Sequence, residues 1–416
     1  MGLWDRLKKG LTGGGASPEL AFLRMTREVA EGIEGVTSAV EEPNDLAVRL
    51  GVRGGGDSSR LFVINMFHEF GALPPAAQRA RMAAILEDLV ARQLEPPLEW
   101  ATARERLVPV LRACTTHGGG GSRILKRPFA PFVDCGVVID SAQTMRYVIG
   151  SALEQWNIDA GVLFDAATAN LASAADGLER LETASLPGAL WYVATNDDYE
   201  TSRLVLPGWL AGMKGRVGGR PVAIIPDRTT LVVGRDELAI IEWMHHTAEE
   251  KYAAAVRFLS PVVYTVDDTG TVVPLRLNRD HALSSALQLA ELRLAGREYN
   301  EQKRQLDEQH AKDGTDIFVA TFSVMKDKQG LAQSFCTWAE PVDTLLPVTD
   351  VVGLAGGDLN DKASMWSLFV PWTDCVRIAG SCLALDSTYH PPRYRTTSWL
   401  DKEQLSQMRQ VGTALR

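Results

Sequence analysis

The stretch PGALWYVATNDDYETSRLVLPGWLAGMKGRVGGRPVAIIPDRTTLVVGRDELAIIEW, residues 187–243, decides how the chain is read. Its apolar run 189–194 is strand-like, and Asn196, Asp197 and Asp198 then offer side-chain oxygens of the kind that cap a helix, so an amphipathic helix is predicted over 199–213. The glycine-rich run 215–221 ends it. Two β-branched runs, 222–225 and 229–233, flank Pro226, Asp227 and Arg228 and read as a hairpin. Asp236 and Glu237 open a second helix. Such a β-α-β-β-α unit lays both helices on one sheet face and supplies a core for its neighbours.

Outward from this unit, residues 262–266 and 271–275 flank Asp267, Asp268, Thr269 and Gly270 as a second hairpin. Before it, 132–139 and 144–149 read as a third, followed by a helix over 157–173. With these segments in place the chain resembles the YtpQ-like proteins, a bacterial family of unknown function. The resemblance rests on VDCGVVIDSAQTMRYVI, EQWNIDAGVLFDAATANLAS, WYVATNDDYETSRLVL, RPVAIIPDRTTLVV and VVYTVDDTGTVVPL, in order across residues 130–275. It implies a cytoplasmic α+β protein and brings no catalytic residues with it.

Toward the N-terminus, Ser17 stands ready to cap a helix over 19–34. Strands are expected at 36–40, 46–52 and 60–68, and helices at 75–93 and 98–113. Residues 1–11 place Leu3, Trp4, Leu7 and Leu11 opposite Arg6, Lys8 and Lys9, a pattern that suits weak peripheral contact with a membrane surface. Beyond 277, residues 281–311 read as a connector helix whose charged second half is solvated. Strands return at 317–325, 331–338, 348–354, 366–370 and 376–385, and a helix over 402–410 ends the chain. The fold class is therefore α+β: mixed or antiparallel sheets with helices packed on one face, and a β-rich C-terminal module. The segments are 1–17 (amphipathic piece and linker), 18–116, 123–277 (YtpQ-like), 278–313 (helical connector) and 314–416, with the GGGGS run at 118–122 as a joint.

A chain of 416 residues with 45% hydrophobic and 23% charged side chains folds. A net charge of −9 makes nucleic acid an unexpected main partner. The five cysteines show no CxxC spacing, which fits reduced, buried thiols. The N-terminus lacks the continuous apolar core of a secretory signal, and no apolar run approaches the roughly 20 residues of a membrane span. A cytoplasmic location is expected.

Two clusters are candidate binding sites. Asn196, Asp197 and Asp198, with Asp227 nearby in the hairpin, gather carboxylates at one corner of the sheet, and Tyr199 and Arg203 follow one turn apart. Such carboxylates suit a divalent cation, but capping and turn formation explain the same residues, so no metal and no cofactor are assigned. The second cluster, TYHPPRYRTTSW, interleaves Tyr389, His390, Arg393, Tyr394, Arg395 and Trp399 around two prolines. That composition suits internal packing or a protein partner. His245 and Glu249 share a helix face with His246 and Glu242 beside them, too few ligands for zinc. HExxH, GxSxG, GxxxxGK[ST] and GxGxxG patterns are absent. These observations lead to a non-enzymatic protein-binding or adaptor protein, with a protein partner or homo-oligomer expected. The alternative is a metal-dependent hydrolase or nuclease using Asp197, Asp198 and Asp227.

Overall fold

A computed structural model describes residues 17–43, 46–54, 59–94, 98–116, 124–141, 145–174, 177–181, 186, 190–326, 330–357 and 364–414. The amphipathic piece 1–11 and the joint 118–122 lie outside the described residues. The architecture is α+β, with antiparallel and mixed sheets. One compact unit reaches to Leu107 and takes in Val138–Arg146; the other comprises Val108–Val137 and Tyr147–Arg416. Most of segment 123–277, together with 278–313 and 314–416, thus falls in the second unit.

In the first unit, Ser17 Oγ accepts from the Leu20 amide at 3.3 Å and starts α1 (Pro18–Glu31) with proline in its first turn. β1 (Val36–Glu42), β2 (Ala47–Val52) and β3 (Ser59–Phe62) pair antiparallel in that order. Val48 and Leu50 point inward from β2 and meet Leu23 of α1. The predicted strand over 60–68 stops at Phe62, because the chain turns into α2 (Ile64–Phe70). Val63, Met66 and Phe70 are buried, and their spacing of three and four belongs to a helix. α3 (Pro75–Leu94) adds Met82 and Leu86 to the same core. The predicted helix over 98–113 is instead one turn at Trp100–Ala103, a 3₁₀ turn at Arg104–Arg106 and then β4 (Leu107–Ala113). Pro109 excludes a helix interior there, and the neighbouring valines suit a buried strand.

β4 leads into a small sheet ordered β4-β6-β5, with β5 at Lys126–Ala130 and β6 at Val133–Asp140. β7 (Met145–Tyr147) pairs with β6 in the expected hairpin. The helix predicted over 157–173 is present as α5 (Ala160–Ser173), and an unpredicted helix, α4 (Gly150–Trp156), precedes it. Asn157 ends α4 in the left-handed region (φ 52°), and the Asp159 side chain caps α5.

The central stretch builds a six-stranded antiparallel sheet. Its strands are β8 (Leu178–Leu181), β9 (Leu190–Val193), β10 (Pro221–Ile224), β11 (Val232–Arg235), β12 (Val263–Val266) and β13 (Val272–Pro274), in the order β13-β12-β10-β11-β9-β8. The hairpin expected around Asp227 is present as the β10–β11 pair. The helix predicted over 199–213 is not. Residues Glu200–Val205 form a 3₁₀ turn, and single helical turns follow at Trp209–Gly212 and Lys214–Val217. Pro207 lacks the amide that a helix needs and would press on the Arg203 carbonyl, so Leu206 before it is extended (ψ 126°). α6 (Leu238–Ala254) covers the sheet, burying Ile240, Ile241, Met244 and Ala248.

α7 (Ser284–Asp313) corrects the connector reading. Its second half is not a solvated rod: Glu298, Tyr299, Gln302 and Leu306 are buried along one stripe. Beyond it stand two mixed sheets. One, ordered β14-β17-β21-β20, uses Phe318–Val319, Thr344–Pro347, Leu383–Asp386 (β20) and Arg393–Thr396 (β21). The other, ordered β15-β16-β18-β19-β22, uses Ser323–Lys326, Ala332–Ala339, Val351–Gly356, Trp366–Pro371 and Thr413–Ala414. The β14/β17 and β16/β18 pairs are parallel. The predicted strand over 376–385 is a helix, α8 (Trp372–Ala379), before β20 begins. Its buried Cys375, Ile378 and Ala379 share one helical face. Trp338 fills the core here, edge-on to Trp399 at 5.3 Å.

Candidate functional site

Beyond β9, Asp197 organises a tight corner. Its Oδ1 accepts from Thr195 Oγ1 at 2.8 Å, from the Tyr199 amide at 2.9 Å and from Arg203 Nη1 at 3.0 Å. Its Oδ2 accepts from Arg203 Nη2 at 2.6 Å. Asn196 (φ 51°) and Asp198 (φ 62°) on either side adopt left-handed backbone, which their short polar side chains tolerate best among non-glycine residues. Arg203 is 1% exposed, and Tyr199 is buried in the same turn. Burial raises the Asp197 pKa, but the Arg203 guanidinium, the Tyr199 amide and the Thr195 hydroxyl outweigh it and hold the carboxyl below its ordinary value.

Asp227 serves its own loop in the same way. Its Oδ1 accepts from the amides of Thr229 and Thr230, both at 2.9 Å, and from Thr229 Oγ1, while Oδ2 takes Thr230 Oγ1. The two loops meet where Thr201 Oγ1 donates to the Arg228 carbonyl at 3.1 Å. The structure thus brings the two aspartate loops together but gives each carboxylate to local donors. Among the described residues, no group of three His, Cys, Asp or Glu side chains is placed to hold a metal ion. One acid of this corner is not so served: Glu200 is buried with Oε2 unpartnered, and burial, reinforced by Asp197 and Asp198, pushes its pKa up.

The C-terminal cluster is built mostly into the interior. Arg393 is fully buried and donates to Gln302 Oε1 (2.6 Å), to the carbonyls of Ala320 and Leu345 (both 3.1 Å) and to that of Tyr299 (2.8 Å). Tyr389 packs on the cluster of Leu306, Val319 and Leu345; Tyr394 meets Trp372 edge-on at 5.2 Å. Trp399 lies against Trp338 and Trp366. Arg393 is thus committed to the interior, and the half-buried Tyr389, Tyr394 and Trp399 follow the internal-packing reading of this segment. Arg395 alone of the six is exposed, paired with Asp343 at 2.9 Å.

On α6, Trp243, His245, His246 and Glu249 line a cavity of about 680 Å³ together with Arg293 of α7. Arg293 pairs with Glu249, and His245 Nδ1 is buried without a partner. Burial lowers the His245 pKa, which keeps the ring neutral near pH 7. The cysteines offer no nucleophile: all five are buried and unpaired, with Cys135 pushed up to about 11 and Cys336 and Cys375 to about 12 by burial.

Several polar residues escaped sequence reasoning. Asp134, 2% exposed, is held by Lys126 Nζ (3.0 Å) and His390 Nε2 (2.8 Å), and no local pattern joins these positions. Glu298, fully buried, accepts at Oε2 from the Thr115 amide (3.0 Å), Thr115 Oγ1 (2.7 Å) and Cys114 Sγ. A signal existed there: Leu294, Glu298, Gln302 and Leu306 continue the apolar stripe of α7 at steps of four. No family model, no curated protein and no solved structure matches the chain.

Proposed function

We propose that the protein is a non-enzymatic, protein-binding adaptor that works in the bacterial cytoplasm. One observation carries this reading, the outer face of the β1-β2-β3 sheet. The register sets Val40, Arg49 and Arg60 in one row and Glu42, Ala47 and Phe62 in the next, on the face opposite the helices. Val40 is 53% and Phe62 47% exposed. Arg49 and Arg60 both reach Glu42, and the Arg60 guanidinium lies 5.1 Å from the Phe62 ring centroid.

Exposed aromatic and arginine side chains, flanked by a branched aliphatic one, match the composition of interface centres. Arg49 and Arg60 beside Val40 and Phe62 suit a protein segment that carries acidic and apolar side chains. Five unpaired thiols fit a reducing compartment. Supporting the non-enzymatic part, the carboxylates of Asp197 and Asp227 are committed to local donors. A photo-crosslinking residue at Phe62, with a second at exposed Leu238 as control, tests the reading. One stoichiometric protein joined from position 62, and lost on Arg60→Glu, is the expected result. Identical products from both positions would overturn it.

A further inference from the structure

We propose that the corner formed by the Asp227 loop and the segment before β12 binds an oxyanion, either phosphate or the phosphate group of a small monoester, between Arg228 and Arg257. The backbone carries the first part of the case. Asp227 and Phe258 form an antiparallel bridge, the Leu259 amide donates to the Pro226 carbonyl at 2.9 Å, and the Arg228 amide donates to the Arg257 carbonyl at 3.2 Å. That register sets Arg228 directly opposite Arg257, with Cβ atoms about 5 Å apart on one face. Like charges so placed repel. The Arg228 carbonyl takes the Thr201 hydroxyl, which fixes the buried turn against the site.

The second part is the state of the side chain. Arg228 Nε is buried, and no acceptor among the described residues meets it. Asp227, the adjacent carboxylate, is turned into its own loop by four hydrogen bonds. Arg112, 7% exposed, adds a third cation from β4, oriented by its 2.6 Å bond from Nε to Tyr147 Oη. Burial, followed by the charges of Arg112 and Arg257, pushes Arg228 down to about 9. Two guanidinium groups thus act on Arg228 in a shielded corner, and a bound dianion turns the repulsion it feels into attraction. Arginine's planar fork suits a tetrahedral oxyanion, which accepts two parallel N–H bonds from each.

Calorimetric titration of the full chain with inorganic phosphate and, separately, with glycerol phosphate tests the site, against sodium chloride at matched ionic strength. Saturable binding of either anion is expected, weakened about tenfold or more by Arg228→Gln and by Arg257→Gln. Tighter binding of the monoester assigns the phosphate group of a larger ligand; tighter binding of inorganic phosphate assigns the free ion. Arg228→Lys keeps the charge, loses the fork and should bind more weakly than the parent, which separates recognition from bulk charge if a glutamine variant does not fold. Heat equal to the chloride control, or undiminished affinity in the folded variants, would overturn the proposal.

Discussion

At the residue scale, the decisive acids are the ones given internal work. Asp197 pairs with a buried guanidinium, so Asp197→Ala should cost ~3 kcal/mol in chemical denaturation by removing both charged hydrogen bonds to Arg203. Asp197→Asn should cost less, since its amide oxygen still accepts from the Tyr199 amide. The folded pKa of Asp197 is depressed. Its contribution is therefore complete above the unfolded carboxylate value, about 3.9, and is lost as pH falls through the lower folded value. Glu298 has the opposite sign, because burial raises its pKa against the bonds from Thr115 and Cys114. Between its unfolded value, about 4.3, and its higher folded value the native state holds the extra proton, so stability falls as pH rises through that window. Glu298→Gln should remove this component. A melting temperature followed across the acid-to-neutral range shows it as a flatter profile in the variant, and an unchanged slope would count against it.

Among the elements, close approach sets the limits. α6 sits on the central sheet because Gly234 has no side chain: a Cβ there would lie 2.7 Å from Ile240 Cγ2 and 2.8 Å from Leu190 Cδ2. Gly234→Ala should cost about 1–3 kcal/mol, whereas Gly212→Ala, with open space around the new methyl, should be neutral or slightly stabilising. Equal losses at the two sites in urea unfolding would show that α6 does not rest on Gly234. Local chemistry was legible at this scale. Ser17 caps α1, and Asp267 with Gly270 (φ 82°) turns the β12–β13 hairpin, because each acts within a few residues of itself. The failures share a cause as well. Residues 98–113 and 199–213 each hold a proline that breaks a pattern otherwise helical, and residues 376–385 hold an apolar run too short for periodicity to choose between helix and strand.

Across the second unit, α7 acts as a spine. Its Tyr299 and Gln302 receive Arg393, whose other two carbonyl partners belong to Ala320 and to Leu345 of the neighbouring strand. Gln302 in turn donates to the Pro391 carbonyl at 2.7 Å, and Tyr299 Oη to that of Pro392 at 3.1 Å. One side chain thus ties the long helix to the β14-β17-β21-β20 sheet. Arg393→Met should cost at least ~3 kcal/mol, because four hydrogen bonds from one buried guanidinium are lost together. Arg393→Lys should recover only part of it, having a point charge where a fork is needed. Thermal unfolding of both variants measures this, and a methionine variant as stable as the parent would show that the hub contributes nothing.

What the sequence by itself determined are the α+β class, the hairpins of the central sheet and most helix starts, since alternation, caps and turn residues act over a few positions. Tertiary structure alone decided that Glu298 is met by Thr115 and Cys114, that Arg393 is buried against α7 and Leu345, and that Arg228 faces Arg257 across a ladder. Each of these depends on partners distant along the chain, and the free energy of such pairing is not written in the residues on either side.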